Sequence, residues 1–151
     1  YLDVSLLNQY WGSDRVYHHT APVNMNFGMR EALRLLADEG LDMAWARHRT
    51  NAEALWSGLE SMGIEMHVPE ELRLPTLTTV RIPEDVDGKA FTQHLLNNHG
   101  IEVGGGLGVL AGKIWRIGLM GYNSNPENVS RLLNLFETEL PQFRQNVAVA
   151  A

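Results

Sequence analysis

The sequence predicts a small α/β sandwich, with three or four strands covered by helices on one face, preceded by a helical stretch that has no sheet of its own. Two observations carry this. Apolar residues recur at helical spacing through residues 1–62, whereas after Gly63 they gather in short β-branched runs broken by proline, glycine and acidic turns. The order from residue 63 onward then reads strand, strand, helix, strand, strand, helix.

Tyr1 to Tyr10 is expected to be a short helix, because Leu2, Leu6 and Tyr10 stand four apart. Trp11 to Asn26 loses periodicity and contains Gly12, Asp14, Pro22 and Asn24, so it reads as an ordered loop. From Phe27 the stripe Met29, Leu33, Leu36 and Ala37 predicts a helix stopped by Gly40. Asp42 is the expected cap of a second helix, with Trp45, Ala52, Leu55, Trp56, Leu59 and Met62 inward and Gly63 as its end. Arg30, Glu31, Arg34, Asp38, Arg47, Arg49 and Glu53 fall mostly off these stripes and read as a solvated face.

Strands are expected over Ile64 to Val68, Thr76 to Ile82, Ile101 to Val103 and Ile114 to Met120. Between them, Asp87 caps a helix carrying Phe91, Leu95 and Leu96, and Gly100 fits its left-handed end. The last helix has Asn125 as cap, Pro126 in the first turn, and a stripe of Val129, Leu132, Leu133, Phe136 and Leu140. The apolar tail Val147 to Ala151 is expected to fray.

Composition narrows the function classes. A net charge of -6 argues against nucleic acid as the main partner. The absence of cysteine excludes disulfides, thiolate catalysis and cysteine–zinc sites. No apolar run approaches the roughly 20 residues of a membrane span, and no charged-then-apolar leader is visible. A start at Tyr1 permits a processed or cut chain. Lys89 and Lys113 are the two lysines, against ten arginines, so chemistry that needs a lysine has two candidates.

Gly104-Gly105-Gly106-Leu107-Gly108 fails as a P-loop, since Leu107 stands where a glycine is required and Ile114 where serine or threonine should hold magnesium. As a dinucleotide fingerprint it should open a helix, and the next segment is strand-like instead. It reads as a flexible loop whose glycines relieve backbone sterics, or as a loop close to a ligand. No metal is expected: His18 and His19 are adjacent, and His94 and His99 are five apart, well off a common helical face. Arg116 lies in the otherwise apolar run Ile114 to Leu119 and needs an anion there. That anion is either a neighbouring carboxylate or a ligand carboxylate gripped by the planar fork. Tyr17-His18-His19-Thr20 offers two hydroxyls and two imidazoles, suited to turn chemistry or to a phosphate.

Several blocks in order carry a resemblance: Tyr17-His18-His19-Thr20-Ala21-Pro22, Arg30-Glu31-Ala32-Leu33, Leu72-Arg73-Leu74-Pro75-Thr76, Ile101-Glu102-Val103, Gly105-Gly106-Leu107-Gly108, and Gly112-Lys113-Ile114-Trp115-Arg116-Ile117-Gly118. Through nearly its whole length the chain resembles the C-terminal part of the alanine–glyoxylate/serine–pyruvate aminotransferases, a class V, fold-type I family dependent on pyridoxal 5'-phosphate (PLP). The resemblance implies an α+β small domain at residues 63–151, with a short, mostly antiparallel sheet covered by helices. Residues 1–62 would form the end of the large domain and the inter-domain helices. It further implies a homodimer with shared active sites, Tyr17 and Thr20 reaching the PLP phosphate of the neighbouring subunit, and Arg116 binding the substrate α-carboxylate. Alanine or serine would donate the amino group and glyoxylate or pyruvate accept it.

The family's catalytic lysine and its pyridine-facing aspartate lie upstream of the part matched, so this chain carries no catalytic residue of its own. Taken alone it is expected to be inactive, as a fragment or one piece of a cleaved enzyme. Other readings are a non-catalytic ligand-sensing or dimerising α/β domain, or a PLP aminotransferase with another donor such as ureidoglycine or a phosphonate. The expected location is the cytoplasm, with a peroxisome or mitochondrion reached through a signal not visible here as the alternative.

Overall fold

A computed structural model describes residues 2–145, and the expected frayed tail Val147 to Ala151 lies outside them. The chain divides into two compact units, Tyr1–Leu41 and Asp42–Ala151.

In the first unit, α1 (Val4–Trp11) is capped by Asp3, whose carboxylate accepts from the backbone N–H of Ser5 at 2.8 Å. A loop leads to α2 (Val23–Glu39), which starts four residues earlier than the stripe predicts, directly after Pro22. Proline cannot continue a helix backward but is well placed at its start, so the entry point follows Pro22. Gly40 ends it at φ +82. The stripe of Met29, Leu33 and Leu36 is exposed.

α3 (Leu41–Ser61) starts at the last residue of the first unit and otherwise belongs to the second. Asp42 is not its cap but lies inside the first turn, where a carboxylate still complements the helix dipole. Ala52, Leu55, Trp56 and Leu59 are buried as expected, whereas Trp45 is exposed. Arg47 also departs from the solvated reading: it donates to the carbonyls of Gly121 at 2.9 Å and Ser124 at 2.6 Å.

Three strands form an antiparallel sheet in the order β1 (Leu77–Arg81), β3 (Ile114–Gly118), β2 (Gly104–Gly105). The expected strand at Ile64 to Val68 is reduced to one bridge between Met66 and Val80. Pairing at Ile101 to Val103 moves on to the glycines, because Val103 is drawn into the core while Gly104 and Gly105 lie flat beside β3. Thr78, Val80, Trp115 and Ile117 share the core face, by register and alternation. That face is covered by α3, by α4 (Gly88–His99) and by α5 (Pro126–Glu139). Phe91 and Phe136 meet edge to face at 5.1 Å, with Trp115 at 5.4 Å and 5.6 Å from them. Leu96 is exposed, and Leu135 takes a core place that Leu133 only partly fills. The caps of α4 and α5 fall where the sequence puts them: Asp87 on Ala90 N–H, Asn125 on Asn128 N–H, and Gly100 left-handed at φ +64. No helix among the described residues is long and apolar enough to cross a membrane.

Candidate functional site

Two places carry the expected site residues, one in each unit. In the first, the loop after α1 turns at Arg15, whose φ is +50, and brings Tyr17 back over α1. The Tyr10 ring meets Tyr17 edge-on at 5.9 Å and His19 at 5.4 Å. This packing sets the direction of the exposed Tyr17 side chain, whose Oη lies 2.7 Å from Thr20 Oγ1. His18 Nδ1 and His19 Nδ1 are 2.8 Å apart, so one imidazole donates to the other. The α2 N-terminus comes immediately after, without a side-chain cap and without an acidic residue in its first turn. Two hydroxyls beside an uncapped helix start offer O–H donors and the positive end of the dipole, the donor types that suit an anion such as a phosphate. The chemistry of this donor set fits the phosphate group of PLP.

The second place is the face of the sheet opposite the core. Arg116 stands on the central strand between Thr79 and Gly104, and is half-buried. Its Nε donates to Gly105 carbonyl at 2.7 Å. Among the described residues it has no carboxylate in salt-bridge reach, so the structural ion pair left open by the sequence is not formed. The single backbone anchor orients the guanidinium while leaving Nη1 and Nη2 for a planar anion. A Cβ on Gly104 would sit 3.5 Å from Arg116 Nη2, so any side chain longer than alanine would crowd the fork.

The glycine-rich segment is tied by backbone hydrogen bonds. Leu110 N–H donates to Leu107 carbonyl at 3.0 Å and Ala111 N–H to Gly108 carbonyl at 3.1 Å, folding Gly108–Leu110 into a tight turn. That turn passes so close to Gly106 that a Cβ there would lie 1.9 Å from Leu110 carbonyl oxygen. Gly106 is therefore required by close backbone approach, and the loop holds the Gly105 carbonyl that anchors Arg116. Beyond β3 the chain is tied down again: Gly121 N–H donates to His48 Nε2 at 3.0 Å, while His48 Nδ1 stands 2.6 Å from Ala44 carbonyl. No local pattern signals this brace, since Arg47 and His48 lie far from Gly121 along the chain. Lys89 and Lys113 are both exposed, as expected of solvated lysines.

The second unit thus presents a three-stranded antiparallel sheet with its helices on one face and Arg116 on the other. The family model for class-V aminotransferases matches residues 3–132, and the chain belongs to that family. It is 42% identical over 150 residues to alanine–glyoxylate aminotransferase of Oryctolagus cuniculus, covering 97% of this chain and 38% of the relative. It is 40% identical over 151 residues to (S)-ureidoglycine–glyoxylate transaminase of Bacillus subtilis, covering 100% and 36%. The crystal structure of alanine–glyoxylate aminotransferase from Nostoc sp. superposes with a TM-score of 0.82 at 61% identity, over 90% of this chain and 36% of that one. The chain thus spans less than two fifths of the length of these relatives.

Proposed function

We propose that this chain is the C-terminal part of a PLP-dependent aminotransferase that moves an amino group from alanine or serine to glyoxylate or pyruvate. The observation that carries the reading is Arg116: a charged fork on the central strand, anchored by one carbonyl and lacking a carboxylate partner among the described residues. Such a group is set to grip the α-carboxylate that amino acids and 2-oxo acids share. Relatives named for alanine–glyoxylate and ureidoglycine–glyoxylate transamination support the class and leave two donors in play.

When bound, PLP supplies the electron sink that lets an amino acid lose its α-proton. The residues of this chain do the holding. Tyr17 and Thr20 would donate hydroxyl hydrogen bonds to the PLP phosphate of a neighbouring subunit in a homodimer with shared active sites. Arg116 would fix the substrate carboxylate and so set which Cα bond is presented for cleavage. The catalytic lysine would lie upstream, outside this chain, because neither Lys89 nor Lys113 occupies the place that the family resemblance gives it.

In the longer protein we assign residues 1–62 to the end of the large domain and the inter-domain helices, and 63–151 to the small domain. α3 is the shared element, since its Leu55 and Leu59 already sit in the core beneath the sheet. The cytoplasm is the proposed location, to be checked by fractionation of the native protein.

In the full-length enzyme, Arg116→Ala should raise the amino-acid KM by about ten- to a hundredfold, the value of a lost hydrogen-bonded charge contact. PLP absorbance should be retained. Arg116→Lys should recover part of the loss. An unchanged KM in Arg116→Ala would remove the carboxylate role.

A further inference from the structure

His94 and His99 do share a site, against the expectation from their spacing. α4 ends at His99, and both imidazoles turn to the same carboxylate, Glu139, at the last residue of α5. His99 Nε2 lies 2.9 Å from Glu139 Oε1, and His94 Nε2 contacts Glu139 Oε2. The two rings are 5.5 Å apart. All three side chains are largely withdrawn from solvent, with exposures of 24%, 25% and 19%. The supports around them are fixed: the Phe143 ring packs on His94 at 5.1 Å, and Arg131 donates to His99 carbonyl at 2.6 Å. Asn98 Nδ2 stands 2.7 Å from His94 Nδ1, so the amide holds that ring from behind.

We propose that His94, His99 and Glu139 form a site for a single borderline divalent cation of the zinc class, stapling the C-terminal ends of α4 and α5. Two imidazole nitrogens and one carboxylate oxygen are the ligand types this class prefers. Their candidate ligand atoms all lie within 4.8 Å of one another. Tetrahedral coordination with bonds of about 2.0–2.1 Å spaces ligand atoms roughly 3.3 Å apart, inside that limit. The proton of His94 moves to Nδ1, where Asn98 accepts it through Oδ1 once its amide is turned, the outer hydrogen bond that orients a ligating histidine. Three protein ligands leave a fourth position for water. Because the helices concerned cover the core face, the site lies behind the sheet with respect to Arg116 and is independent of the transaminase reading.

The test is titration of the chelator-treated protein with ZnCl2 and, separately, with CoCl2. One equivalent of Zn2+ is expected to bind and to raise the Tm by about 5 °C or more at saturation. Co2+ should give the visible bands of a low-coordinate site. Both responses should vanish in a His94→Gln, His99→Gln double variant and persist in His18→Asn, His19→Asn. Absence of binding to the unmodified protein, or loss only in the His18/His19 variant, overturns the site. Should the double variant fail to fold, Co2+ must broaden the side-chain NMR signals of His94 and His99 in the unmodified protein. Broadening confined to His18 and His19 overturns the proposal.

Discussion

Among the described residues of the first unit, Leu2 to Leu41, none is buried, although α1 and α2 are well-formed and amphipathic. The second unit, with helices of comparable amphipathic pattern, closes a core around Phe91, Trp115 and Phe136. The difference teaches that helical periodicity specifies which face is apolar but not what covers it. In the second unit a sheet supplies the cover, and the burial of apolar area provides the main stabilising term. In the first, helix propensity, one aspartate cap and surface ion pairs are what the unit itself contributes. Short helices held by such terms are marginal in water.

The sharpest way to break this comparison is to remove one aromatic ring from each unit. Phe91 is fully buried and touches three aromatic rings. Phe91→Ala should cost about 3–5 kcal/mol, through lost transfer energy and the cavity left behind. Phe27 is 66% exposed, and Phe27→Ala should stay within about 0.5 kcal/mol of the parent. Urea denaturation measures both. Comparable losses would mean that Phe27 is covered in solution and that the contrast between the units is false.

Within the second unit some features were readable in the sequence and others were not. Helix caps depend on one side chain and one neighbouring N–H, so Asp87, Gly100, Asn125 and Pro126 were legible one residue at a time. β1 was legible because β-branched residues are dense through Thr76, Thr78, Thr79 and Val80, and Pro83 bounds the run. β2 was not, because two glycines pair through backbone alone and leave no pattern of side chains. The chemistry divided in the same way. Arg116 stood out as a charge in an apolar run, and its lack of a carboxylate partner needed only the fold to be seen. The meeting of His94 and His99 on Glu139 needed two helices to end side by side, and nothing local in the sequence encodes that.

Glycine substitution sharpens the comparison with opposite signs. Gly28 lies in α2, and a Cβ there meets nothing within 4 Å. Gly28→Ala should therefore strengthen the helix by about 0.5–1 kcal/mol, seen as slower hydrogen exchange of α2 amides. Gly106→Ala places a methyl against Leu110 carbonyl and should destabilise by about 1–3 kcal/mol. It should also disturb the Gly105 carbonyl that anchors Arg116. A neutral Gly106→Ala would show that the turn at Gly108–Leu110 gives way at little cost.

The smallest effect separates two carboxylates that both titrate below their ordinary value of 4.5, one in each unit. Glu31 is held down by its hydrogen bond to Arg34, and Glu139 first by His94 and then by His99. A lowered carboxyl pKa stabilises the fold above about pH 4.5, and that contribution is lost as the pH falls through the lowered value. The two should respond differently to salt, because the Glu31 side chain is 53% exposed and that of Glu139 only 19%. In about 1 M NaCl, where the screening length is roughly 3 Å, site-resolved NMR titration should show Glu31 returning toward 4.5 while Glu139 stays low. If both return together, Glu139 is as open to solvent as Glu31, and the α4–α5 end belongs with the exposed first unit rather than with the packed second.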